Sequence, residues 1–132
     1  MTINKVIIHT DGASRGNPGP AAIGVTIKDE KGNLLSSISR AIGKTTNNQA
    51  EYKAVIAALE QAIKLGAKQV ELNSDSELMV KQLLGKYRVK KDTLQPLFAQ
   101  VKELAAHFES FKVKHIPREQ NSEADALANK AY

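Results

Sequence analysis

The sequence predicts a mixed α/β fold, with a five-stranded sheet flanked by about four helices in one domain over residues 1–132. Three observations carry that prediction. Two apolar runs of strand character flank the turn segment Asp29-Glu30-Lys31-Gly32-Asn33, as in a hairpin. Several later segments repeat their apolar residues at helical spacing. From residue 46 onward helical and strand-like segments alternate. Hairpins combined with that alternation imply a mixed sheet with helices packed on it. A chain of this length buries roughly two-thirds of its unfolded surface, so one core suffices without a disulfide or a metal staple.

Ile3 to Asp11 reads as the first strand. Ala22 to Lys28 and Leu34 to Ile42 are the hairpin strands, which makes the first three strands an antiparallel meander. Thr46 to Leu65 is the clearest helix, since Val55, Ala58, Leu59, Ala62 and Ile63 recur on one stripe. Thr46 or Asn47 caps it, and Gly66 stands where a helix stops. Lys68 to Leu72 is a short strand, and Ser74 to Leu84 a second helix. Gly85 to Lys91 is a basic connector in which Lys86, Arg88, Lys90 and Lys91 surround Tyr87. Thr93 to Phe108 is a third helix, with Pro96 in its first turn, where proline is tolerated. Phe111 to Ile116 is the last strand, stopped by Pro117. Asn121 to Ala131 is the last helix.

Composition narrows the chemistry. The chain has no cysteine, which excludes disulfides, zinc–thiolate sites and thiol nucleophiles. Met1 to Val6 does not resemble a secretory leader. No apolar run approaches the about 20 residues of a membrane span. A cytoplasmic, monomeric, free-standing protein is the expectation. Nineteen basic against fourteen acidic residues leave a net charge of +5, which favours a polyanionic partner. Aromatics make up only 5%, with no Trp, and that weighs against a platform that stacks single-stranded bases.

Four acids stand where acids are awkward. Asp11 ends an apolar strand and faces the Gly- and Pro-rich loop that runs from Gly12 to Pro20. Glu51 lies on the packed stripe of the first helix. Asp75 follows the strand Val70-Glu71-Leu72, and Asp125 sits between Ala124 and Ala126. A carboxylate turned toward a core is costly unless it is paired or ligates a metal. Each acid alone has a plain structural role open to it: a turn for Asp11-Gly12, a helix cap for Asp75, a solvated helix face for Glu51 and Asp125. Two acids at strand ends and two in helices can also converge at one sheet edge. Hard divalent cations want such oxygen ligands. Two such ions about 3.5–4 Å apart suit in-line phosphoryl displacement.

The segments Thr10-Asp11-Gly12-Ala13-Ser14-Arg15-Gly16-Asn17-Pro18-Gly19-Pro20, Thr45-Thr46-Asn47-Asn48-Gln49-Ala50-Glu51, Ser74-Asp75-Ser76 and Asn121-Ser122-Glu123-Ala124-Asp125-Ala126-Leu127-Ala128 resemble ribonuclease H of type 1. They follow the family's order and span essentially the whole chain. The resemblance implies the ribonuclease H-like fold and hydrolysis of the RNA strand of an RNA–DNA hybrid, with two Mg²⁺ ions for which Mn²⁺ substitutes. It implies 5′-phosphate products, with Asp11, Glu51, Asp75 and Asp125 as metal-binding carboxylates. Gly12, Ser14, Gly16 and Asn17 match a loop along the RNA strand. Asn47, Asn48 and Gln49 match a segment that reads the minor groove, where 2′-OH contacts tell RNA from DNA.

Three departures from the family's best-known bacterial pattern stand out. Gly85 to Thr93 has no room for an extra helix with a basic protrusion, which leaves double-stranded RNA open as a second substrate. The basic connector either compensates in part or is simply solvated. The loop His115 to Asn121 places Arg118, rather than His115, nearest the helper position, where a guanidinium could hold the scissile phosphate. Glu77 stands where many members carry a Gln near the metal site.

Other motifs fail. Gly43-Lys44-Thr45 lacks the upstream Gly of a phosphate-binding loop, because Ile38 stands there. The glycines at 12, 16 and 19 lack dinucleotide-fold spacing, and no Ser nucleophile has a triad context. The competing function is a binding module for hybrid or double-stranded RNA that has lost catalysis. A domain of a larger reverse transcriptase is a third.

Overall fold

The structure is a computed structural model that describes residues 3–132. In chain order its elements are β1 (Lys5–Ser14), β2 (Gly19–Lys28), β3 (Leu34–Thr45), α1 (Asn47–Lys64), β4 (Gln69–Ser74), α2 (Glu77–Leu83), α3 (Gln95–Ala105), β5 (Ser110–His115), a 3-10 turn (Arg118–Gln120) and α4 (Ser122–Lys130). The sheet order is β3-β2-β1-β4-β5. β1, β2 and β3 pair antiparallel, while β4 pairs parallel to both β1 and β5. This is the mixed five-stranded sheet with four helices that the sequence predicts. No helix of the described residues is long and apolar enough to cross a membrane.

Strand alternation sorts the side chains. Val6 and Ile8 of β1, with Val25 and Ile27 of β2, are fully buried in one cluster with Val55, Ala58, Leu59 and Ala62 of α1. Ala50, Ala54, Ala57 and Ala58 keep α1 slim, so its backbone lies close to the sheet. The alternate residues of β2 face the other way. There Gly24 lies directly under α4, and a Cβ on it would run into the Ala124 carbonyl and approach the Ala128 amide. β1 is thus the central strand between α1 and α4.

Several boundaries differ from expectation, each for a local reason. β1 continues past Asp11 to Ser14, because Gly12, Ala13 and Ser14 pair with Ile23, Ala22 and Ala21. Asp11 therefore lies inside the strand rather than at its exit. Ladder pairing overrides the low strand propensity of Asp-Gly there. α1 takes Thr46, not Asn47, as its N-cap, and Gln49 completes a capping box. Gly66, at φ 78°, ends the turn after it. β4 runs on to Ser74, and Ser76 rather than Asp75 caps α2 by accepting from the Met79 amide. Asp75 is therefore released from the capping role. α3 is trimmed at both ends to Gln95–Ala105 and carries no side-chain cap.

A buried hydrogen bond ties the helices that flank the acids. The Tyr52 hydroxyl donates to Gln82 Oε1 at 2.6 Å, joining α1 to α2, and burial pushes its pKa up to about 12. Tyr52→Phe leaves the buried Gln82 oxygen without its donor. Denaturant unfolding is expected to show a loss of about 1–2 kcal/mol.

Candidate active site

Asp11, Glu51, Asp75, Asp125 and Arg118 line one open cavity of about 360 Å³. β1 delivers Asp11, α1 delivers Glu51 one turn after its cap, and the end of β4 delivers Asp75. One carboxylate oxygen from each of these three lies within 4.8 Å of the others. The parallel register that sets Thr10 beside Ser74 brings the Asp11 and Asp75 segments side by side.

Glu51 is held from behind. Its Oε1 accepts a short hydrogen bond from the Gly12 amide. A Cβ on Gly12 would overlap the Ala50 carbonyl, so only glycine lets strand and helix meet this closely. Burial first, and then the Asp11 charge, push the Glu51 pKa up to about 8, against the pull of the Gly12 amide. Burial also leads for Asp11, followed by the Asp75 charge and a hydrogen bond with Asp125. Together they raise its pKa to about 7, while Arg118 opposes them. Three acids packed together at that cost form a site built for positive charge. The donor set, all hard carboxylate oxygen, suits a divalent ion such as Mg²⁺ or Mn²⁺.

Asp125 stands outside the tight trio but on the same cavity wall, in the first turn of α4. Asn129 Nδ2 donates to its Oδ2 at 3.4 Å. A residue outside the expected site set fixes α4 here. Asn121 is 1% exposed, and its Nδ2 donates to the Thr10 carbonyl at 2.9 Å, next to Asp11. Its place as the N-cap of the last helix is the one sequence signal of that role. Ser76 and Ala13 also line the cavity.

The loop after β1 is clamped to the start of α1. The Ser14 amide donates to Asn47 Oδ1 at 3.3 Å, and the Asn47 amide donates to Asn17 Oδ1 at 3.0 Å. Gly16 adopts φ 111°, in the region that favours glycine. Gly12 and Asn47 line the cavity, whereas Gly16 and Asn17 are exposed on the loop. Asn48 is half-buried beside them. Gln49 has a second task in the helix cap. Its Oε1 accepts from the Thr46 amide at 3.2 Å and from the Thr45 hydroxyl, so that oxygen belongs to the helix cap.

Two further residues stand away from the cavity, Glu77 against its expected place near the metal site and His115 in line with the reading that favours Arg118. Glu77 pairs with Lys81 at 2.7 Å on the exposed face of α2 and does not line the cavity. His115 is exposed at the end of β5, also away from the cavity lining. Lys86, Arg88, Lys90 and Lys91 are exposed and form no ion pair among the described residues.

Comparison with known proteins agrees with this geometry. A family model described as reverse transcriptase-like matches residues 9–131. The chain is 44% identical to ribonuclease HI of Halobacterium salinarum over 96% of this chain and 64% of that protein. It is 43% identical to the bifunctional protein Rv2228c of Mycobacterium tuberculosis over 96% of this chain and 35% of that one. The chain thus spans less than two thirds of the length of these relatives. Among solved structures, RNase H1 of Halobacterium salinarum matches at TM-score 0.95 and 44% identity, covering 97% of both chains. LC11-RNase H1, isolated from compost and solved in complex with an RNA/DNA hybrid, matches at TM-score 0.91 and 50% identity, covering 96% of this chain and 95% of that one. With the strand order, the acid cluster and these matches in agreement, the chain belongs to the ribonuclease H type 1 family.

Proposed function

We propose that this chain is a metal-dependent endonuclease that hydrolyses the RNA strand of RNA–DNA hybrids, acts as a cytoplasmic monomer and leaves 5′-phosphate products. The convergence of Asp11, Glu51 and Asp75 within 4.8 Å in an open cavity carries this reading. The hybrid bound by LC11-RNase H1 supports the choice of substrate.

In the reaction, water oxygen bonds to phosphorus and the bond from phosphorus to the 3′ oxygen breaks. The 3′ oxygen gains a proton, and the phosphate stays on the 5′ side. Two Mg²⁺ ions, or Mn²⁺ in their place, held by Asp11, Glu51, Asp75 and Asp125, would acidify the water and stabilise the departing oxygen. Asp11, which feels the charges of Asp75 and Asp125 and itself acts on Glu51, would be a ligand common to both ions. Arg118, on the cavity wall, steadies the scissile phosphate by its planar fork of donors. The clamped loop from Gly12 to Asn17, with Asn47 and Asn48, offers donors and acceptors to 2′-OH groups, which selects RNA. Gln49 keeps only its amide nitrogen for that task. Double-stranded RNA is the second substrate to assay, since the short connector adds no protrusion that favours a hybrid.

The deciding experiment is cleavage of a labelled RNA–DNA hybrid in Mg²⁺ and in Mn²⁺ by the natural chain and by Asp11→Asn. A natural chain that binds hybrid but never cuts it would make the protein a binding module. Arg118→Ala is expected to lower kcat about tenfold or more, with KM within about threefold, because its contact strengthens as charge builds on the phosphate. Equal kcat values would remove Arg118 from the chemistry.

A further inference from the structure

A second cavity, of about 480 Å³, opens beside the connection between β1 and β2. Arg15 and Lys44 line it, together with the ring of Tyr132, and Pro20, Ala21 and Ala41 give it an apolar wall. No acid lines it. Arg15 and Lys44 form no ion pair among the described residues. The Arg15 guanidinium carbon sits 3.9 Å from the centroid of the Tyr132 ring. Stacking uses the face of a guanidinium and leaves its N–H edge for an anion. The base of Arg15 is fixed as well, since its amide donates to the Pro20 carbonyl at 2.7 Å. Lys44 stands opposite Pro20 in the β2–β3 register.

The two cavities share the strand end. Ala13 lines the acid cavity and Arg15 lines the second one. Two residues of extended backbone, about 7 Å, separate them. Ser14, between them, is the residue whose amide is tied to Asn47.

We propose that the Arg15–Lys44–Tyr132 cavity is a nucleotide subsite separate from the acid cluster. It takes one nucleotide of the RNA strand that the Gly12-to-Asn17 loop follows. The phosphate lies against Arg15 and Lys44, and the sugar or base lies on the apolar wall beside Tyr132. This inference rests on the hybrid-cleaving function proposed above. A cationic pair over an apolar wall, with no acid to compete, matches a nucleotide's charged and flat parts together.

The test compares the natural chain with Arg15→Gln, Lys44→Gln and the double variant, none of which touches the acid cluster. Three hybrids are used: one long, one trimmed just past the cleavage site on the 5′ side, and one trimmed likewise on the 3′ side. On the long hybrid the double variant is expected to raise KM about tenfold, with kcat within about twofold. Its salt dependence should flatten by about one unit, for the one phosphate that loses its cations. On one of the trimmed hybrids, which cannot reach the cavity, all four proteins should share the same KM. A KM unchanged on the long hybrid overturns the subsite. So does a rise that persists on both trimmed hybrids, since that is diffuse attraction by net charge. If the natural chain binds but does not cut, the enzyme reading falls, and the subsite is then judged by the same comparison of hybrid affinities.

Discussion

Asp11→Asn is expected to abolish hybrid cleavage and, in the same protein, to make the metal-free fold more stable. Both effects have one cause. Asp11 is 8% exposed, with Asp75 and Asp125 close by, and burial and those charges raise its pKa to about 7. In the unfolded chain an aspartate loses its proton near pH 4. Between those values the folded state holds the proton that the unfolded state has released, so stability falls as pH rises through that window. The benefit of the retained proton is fully present below about pH 4 and is gone above about pH 7 to 8, with Glu51 extending the window to about 8. Asparagine removes one charge from the cluster. At pH 8 without metal, the variant should gain about 1–3 kcal/mol over the natural chain, and its pH profile should be flatter. Mg²⁺ should reverse the order, because an ion that binds only the folded state stabilises it by mass action. Cleavage should drop at least about a thousandfold, since the proposed in-line displacement loses a carboxylate ligand at its centre. A variant that is less stable than the natural chain without metal at pH 8, or that cuts at the natural rate, would refute this account of Asp11.

Gly24→Ala should be the most damaging single methyl in the fold outside the acid cluster. The added Cβ points from β2 into the backbone of α4, at the Ala124 carbonyl and the Ala128 amide. Backbone cannot swing aside as a flexible side chain can, so α4 must lift off the sheet or β2 must bend. Overpacking of this kind costs about 1–3 kcal/mol, and the upper end is expected here. The effect reaches the site, because α4 carries Asp125 and because Gly24 is paired with Asp11 across the ladder. Thermal unfolding and hybrid cleavage should both fall, the second by more than the loss of folded protein explains. Natural stability and natural cleavage in Gly24→Ala would show that α4 does not sit this close.

Much of this was legible in the residues themselves. The stripe of Val55, Ala58, Leu59 and Ala62 needs no tertiary information to read as a helix, and those side chains are indeed fully buried. The hairpin at Asp29–Asn33 forms around the Asp29 carboxylate, which accepts from the Lys31 and Asn33 amides. The four acids were recognisable because acids beside apolar runs are rare without a partner. Other features were closed to sequence reasoning because their partners are distant in the chain. Gly12 looked like a turn glycine, yet it is a strand residue whose missing side chain admits Ala50 and Glu51. Gln49 looked free to read a groove, yet its oxygen closes the cap of α1.

Local pattern by itself determined which segments become strands and helices and which residues bring carboxylate, amide and guanidinium groups. That follows because periodicity and capping act over one or two turns of chain. Only the tertiary structure decided that Asp11, Glu51 and Asp75 meet, that Asp125 stands at the edge of that meeting, and that Arg15 stacks on Tyr132. The reason is the sheet: parallel pairing of β1 with β4, and the closeness permitted by Gly12 and Gly24, set the distances at which these groups can act together.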